Sequence, residues 1–127
     1  MARRLKDFIF IPGEVRSKKN SRRYVGKGKL IASKACLEYY KLTAAYWEKE
    51  RTNFLESIRD KEPPYRIEFA FVRQTKRKFD YMNMGQTVTD LMVSYGWLKD
   101  DDWKNIIPSF APVTFDKNHF GVIIKTI

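Results

Sequence analysis

Cysteine and histidine are almost absent from this 127-residue chain: Cys36 and His119 are the single copies of each. With one cysteine no disulfide can form within the chain, which suits a reducing compartment. Cys36 falls among apolar residues at helical spacing and reads as a small core residue, not a nucleophile. His119 sits in a turn-forming stretch, "DKNH", and is not read as a catalytic base. No apolar run approaches the length of a membrane span. The N-terminal "MARRLKDFIFIPG" has two arginines ahead of an apolar run too short for a signal peptide. Internal repeats and low-complexity segments are also missing. These absences lead us to expect a soluble cytoplasmic protein with no membrane partner.

Acid is scarce as well. Asp and Glu number 15 against 25 Lys and Arg, for a net charge of +10. An excess of that size points to an anionic partner. The cations cluster: residues 1–34 hold eleven Lys and Arg against Asp7 and Glu14, and Lys76, Arg77 and Lys78 follow later. Nucleic acid is the leading partner, because Lys and Arg on phosphates release counterions and so drive binding. The expected contacts are Lys18, Lys19, Asn20, Arg22, Arg23, Lys27, Lys76, Arg77 and Lys78. Tyr24, beside Arg22 and Arg23, suits single-stranded or distorted DNA. A basic RNA-binding protein is the alternative this composition also allows.

Apolar residues make up 43% and aromatics 15%, enough for one folded domain over 1–127. "LKDFIFIPG" reads as a strand ended by Pro12 and Gly13, and 14–29 as a basic loop or loose hairpin. A long helix is expected from an N-cap at Ser33, with Cys36, Tyr40, Ala44, Trp47, Phe54 or Leu55, and Ile58 on its inner stripe. Pro63 and Pro64 stop it. "YRIEFAFVR" alternates as a half-buried strand over 65–73. A short helix is expected from Asn83 to Gly96, then strands in "WKNIIPSF" and "FGVIIKTI". The class is α+β: a mixed β-sheet with one long and one short helix.

Against this background the acid of "KFDYMNMGQTVTDLMVSYGWLKDDD" stands out. Met84, Val88, Leu91 and Tyr95 form the apolar stripe of the short helix, and Asn83, Gln86 and Asp90 lie nearly opposite. Asp80 precedes that helix and Asp100, Asp101 and Asp102 follow it, so strand end, helix face and loop are expected to converge. Clustered carboxylates repel unless a cation neutralises them. Mg²⁺ is the natural ion, and beside a basic surface it fits phosphodiester hydrolysis. Trp97 and Trp103 flank the acidic loop, where they stack on bases or clamp the loop.

The same stretch resembles the RusA family of Holliday junction resolvases. The family pattern is D-x-D-N-x-x-K, then an aspartate, a glycine and a D-D pair. It aligns without gaps to Asp80, Asn83, Asp90, Gly96, Asp100 and Asp101. Upstream, Ser17 and Asn20 are similar to a P-S-x-N loop, though spaced one residue wider. Met82 stands where the family has its second aspartate, and Gln86 where it has a lysine.

The resemblance implies a RusA-like fold and a homodimeric, Mg²⁺-dependent endonuclease cutting branched DNA at four-way junctions. It also implies a place in recombination and repair at the nucleoid, in a family often borne by phages and prophages. Asp80 and Asp101 are implied as metal ligands, with Asp102 or Asp90 supplying the oxygen that Met82 lacks and Asn83 its carbonyl. That is a rearranged catalytic site. The alternative is a non-catalytic DNA-binding protein of the same fold. A dimer would use the apolar strands near 65–73 or 103–113.

Overall fold

The computed structural model describes residues 8–17, 22–25, 29–32 and 34–127, with backbone alone for 22–25 and 29–32. The alternating segment becomes β4 (Tyr65–Arg73), the centre of the sheet. Around it run β1 (Ile9–Pro12), β5 (Ile106–Phe110), β6 (Thr114–Phe115) and β7 (Gly121–Thr126). Strand order is β1-β7-β4-β5, with β6 beside the far end of β4. β7 is antiparallel to both β1 and β4, while β5 and β6 run parallel to β4. The sheet is therefore mixed and the class α+β. Both flanks of β4 are taken, so of the two strand regions expected at a dimer contact only 103–113 retains an edge.

Where a basic loop or loose hairpin was expected over 14–29, β2 (Arg22–Val25) and β3 (Lys29–Ala32) pair antiparallel and separate from the main sheet, so the second strand runs on to Ala32. The expected cap Ser33 lies outside the described residues.

Period two decides which face of β4 is wet. Ile67, Phe69 and Phe71 are buried with Ile11, Val122 and Ile124, whereas Arg66 is exposed on the other face. Two helices cover the buried face: α1 (Lys34–Ser57) and α2 (Tyr81–Ser94). α1 buries Cys36, Tyr39, Thr43, Trp47 and Phe54, a stripe one residue off the expected one at Tyr39 and Thr43. Thr43 is tolerated because its Oγ1 donates to the Tyr39 carbonyl at 2.8 Å and accepts from Trp47 Nε1 at 3.0 Å.

α2 begins two residues before the expected start because Asp80 is its N-cap. The Asp80 carboxylate accepts from the backbone N–H of Met82 at 3.0 Å and of Asn83 at 3.3 Å. Gly85 lets the helix settle on β5: a Cβ there would meet the Phe110 ring at 2.8 Å. Gly96, at φ +77°, turns the chain after the helix, as a glycine can.

Trp97 then enters the core rather than facing a ligand. It is 2% exposed, stacks on Phe54 at 5.1 Å between centroids, and donates Nε1 to the Trp47 carbonyl at 2.9 Å. This anchor fixes where Asp100–Asp102 emerge. Among the described residues no helix is long and apolar enough to cross a membrane.

Candidate functional site

The polar face of α2 carries a ladder of side chains. Asn83 Nδ2 donates back to Asp80 Oδ2 at 3.2 Å. One turn on, Gln86 Nε2 donates to Asp90 Oδ1 at 2.9 Å and to Asp101 Oδ2 at 3.4 Å. A single neutral amide thus ties the helix to the acidic loop, at the position where the resembled pattern has a lysine.

The ladder is extended rather than convergent. Ten residues of helix rise about 15 Å, so Asp80 and Asp90 mark opposite ends of α2's polar face. The pair that shares a partner is Asp90 and Asp101. Asp80 is occupied by the helix start. Asp102 turns toward its own loop: Oδ1 accepts from Lys104 N at 3.1 Å and Asn105 Nδ2 at 2.7 Å. Asp100 accepts from the Asp101 N–H at 2.8 Å.

Asp101's carboxyl is held above its ordinary range. Partial burial is the largest cause, followed by its hydrogen bond with Asp100 and the charges of Asp90 and Asp100. Among the described residues no set of three or more His, Cys, Asp or Glu side chains is arranged around a metal position. Two carboxylates and an amide do suit Mg²⁺, which keeps waters and takes its remaining oxygens from substrate phosphates.

Beside Asp101 lies a cleft of about 220 Å³ between α2 and β5, walled by Phe110, Pro108 and Met82. Met82 is 72% exposed. Both departures from the resembled pattern, Met82 and Gln86, line this one cleft. Trp103, 77% exposed, stands next to the acidic loop.

The basic arm is rooted where β4 runs toward α2. Arg73, the last residue of β4, is buried, with a side chain 7% exposed against 11% for Glu14. Its Nε donates to Glu14 Oε1 at 2.8 Å, and Nη1 donates to the carbonyls of Arg77 at 2.9 Å and Lys78 at 3.3 Å. Glu14 Oε2 accepts from the Gln74 N–H at 2.8 Å. The loop is folded around one buried ion pair, and Lys76, Arg77 and Lys78 are exposed at its rim.

Of the other expected DNA contacts, Lys18, Lys19, Asn20 and Lys27 lie outside the described residues, and Arg22 and Arg23 are described in backbone only. Arg16, Glu14, Arg73 and Thr87 escaped the sequence reading. Thr87 Oγ1 donates to the Arg16 carbonyl at 2.7 Å, binding the first basic segment to α2. The 59-residue separation of Glu14 and Arg73 left no local signal of their pairing.

No family model matches the chain, and a search of curated proteins found no match.

Proposed function

We propose that this chain is a RusA-like, Mg²⁺-dependent endodeoxyribonuclease that acts as a homodimer on four-way DNA junctions. The observation that carries the reading is the shared amide of Gln86, which brings the carboxylates of Asp90 and Asp101 together. The spacing of Asp80, Asn83, Asp90, Gly96, Asp100 and Asp101 supports it.

The basic arm supplies phosphate contacts. Asp90 and Asp101 would hold the metal, oriented by Gln86, while Asn83 and Asp80 cap the near end of the ladder. When bound, Mg²⁺ would activate water and stabilise the charge on the leaving oxygen. Trp103 offers an exposed ring for a base unstacked at a branch point. A junction has approximate two-fold symmetry, so a two-fold dimer addresses matched strands.

A second reading is favoured by the commitments of Asp80 to the helix cap and of Asp102 to its turn. It is DNA binding on the same fold without cleavage. The deciding experiment incubates the protein with a synthetic four-way junction, with and without Mg²⁺, and resolves the strands on a denaturing gel. Paired cuts only with Mg²⁺ support the nuclease. Tight junction binding without cuts leaves the second reading. Equal binding of junction and RNA overturns both in favour of a general basic RNA-binding protein.

A further inference from the structure

Glu14, Arg16, Arg73, Gln74, Thr75 and Arg77 line a small cleft of about 150 Å³. The one acid in it is spent: both Glu14 oxygens accept bonds at 2.8 Å, from Arg73 and from the Gln74 N–H. Arg73 balances that charge. Two further guanidiniums remain, those of Arg16 and Arg77, on residues exposed to solvent. Among the described residues neither they nor the Thr75 hydroxyl meet a hydrogen-bonding partner. Both arginines have anchored backbones, since Thr87 holds the Arg16 carbonyl and Arg73 holds that of Arg77. The cleft therefore has a surplus of positive charge, a planar fork from each of two chain segments, and little loop entropy left to lose.

From this geometry we infer that Arg16, Thr75 and Arg77 form a phosphate-binding pocket, organised by the buried Arg73–Glu14 pair. Guanidinium forks match the tetrahedral oxygens of phosphate in a way that a point-like ammonium does not. The expected ligand is a phosphodiester of the DNA strand, which rests on the functional reading above. Arg77 precedes Asp80 by three residues, a reach of at most about 11 Å of chain. A strand anchored in the pocket would thus run past the near end of the carboxylate ladder.

The test measures the affinity of a labelled four-way junction in EDTA, so that no strand is cut. We compare wild type, the Arg16→Ala/Arg77→Ala double variant, the Arg16→Lys/Arg77→Lys double variant, and a Lys41→Ala/Lys49→Ala control on the outer side of α1. The inference expects the alanine pair to lose roughly tenfold or more, the lysine pair severalfold, and the control about as little as any two surface charges. In parallel, inorganic phosphate is titrated into labelled protein and followed by amide NMR. Shifts should gather at residues 14–16 and 73–77 and vanish in the alanine pair.

Full affinity in the lysine pair would show a diffuse basic surface and overturn the pocket, as would an alanine pair no weaker than the control. If wild type binds no junction, the functional reading fails and the phosphate titration alone decides the pocket: localised shifts keep it, with free phosphate or a nucleotide as the ligand, and their absence removes it.

Discussion

Glu14 and Arg73 meet at 2.8 Å with little exposed surface, and Arg73 Nη1 and Glu14 Oε2 go on to bond the backbone of the loop they support. Asp90 and Asp101 meet at the surface, through one neutral amide, with Asp100 adding like charge. The first region turns charge into architecture: opposite signs, buried and bonded to the backbone, fix a loop in place. The second gathers carboxylates at the surface, where partial burial first, and then the neighbouring Asp100 and Asp90, raise Asp101's carboxyl. Buried pairs hold structure strongly once formed, whereas grouped like charges make a demand that a cation or a partner can meet.

Breaking the buried pair should have the largest effect. Arg73→Ala leaves the Glu14 carboxylate buried without its cation and strips two carbonyls of their donor. A loss of about 3–5 kcal/mol is expected in urea unfolding, a large share of the roughly 5–15 kcal/mol that a domain possesses. The paired change Arg73→Met with Glu14→Leu should recover much of it, because no charge is then stranded. A single variant losing less than about 1 kcal/mol would mean that the pair does not organise the arm.

A smaller effect separates architecture from chemistry at Asp80. Asp80→Ala removes the cap of α2 and should cost about 1 kcal/mol, read by the same unfolding curves. Asp80→Asn keeps an oxygen for the N–H groups of Met82 and Asn83 and should be nearly as stable as wild type. Any loss of cutting in Asp80→Asn then reports on charge, not on folding.

The smallest expected effect has the opposite sign. Asp101 has a raised carboxyl in the folded protein, so the native state holds that proton more firmly than the unfolded chain. Its contribution is most favourable at acidic pH and is lost as pH rises through the raised value. Asp101→Asn should therefore stabilise the protein at pH 7. The group is largely exposed and screened, which limits the gain to a few tenths of a kcal/mol. The difference in Tm should shrink as pH falls below the ordinary carboxylate range, and Mg²⁺ should raise the Tm of wild type more than that of the variant.

The elements were readable wherever period and polarity agreed. β4 alternates cleanly, and it folds as expected over 65–73. α1 was legible in place but rotated in detail: Thr43 reads as polar, and only the bonds to Tyr39 and Trp47 make it a core residue. Arg73 was illegible for a related reason, since a strand-terminal arginine reads as exposed until its partner 59 residues away is known. The acidic face was legible through Asn83, Gln86 and Asp90, which do share it. That Asp80 would be spent on a cap, and Asp102 on its own turn, depended on local geometry that spacing does not specify. Trp97 and Trp103 looked alike in sequence, yet Gly96 sends one inward and the loop leaves the other out.

In the function proposed above, the acidic ladder cuts DNA that the basic arm holds. The most direct measurement compares wild type and Asp101→Asn on one four-way junction, with binding measured in EDTA and cleavage in Mg²⁺. Removing a negative charge near phosphates should leave binding equal or tighter while Mg²⁺-dependent cutting is abolished. Cleavage at the wild-type rate in Asp101→Asn would contradict the claim.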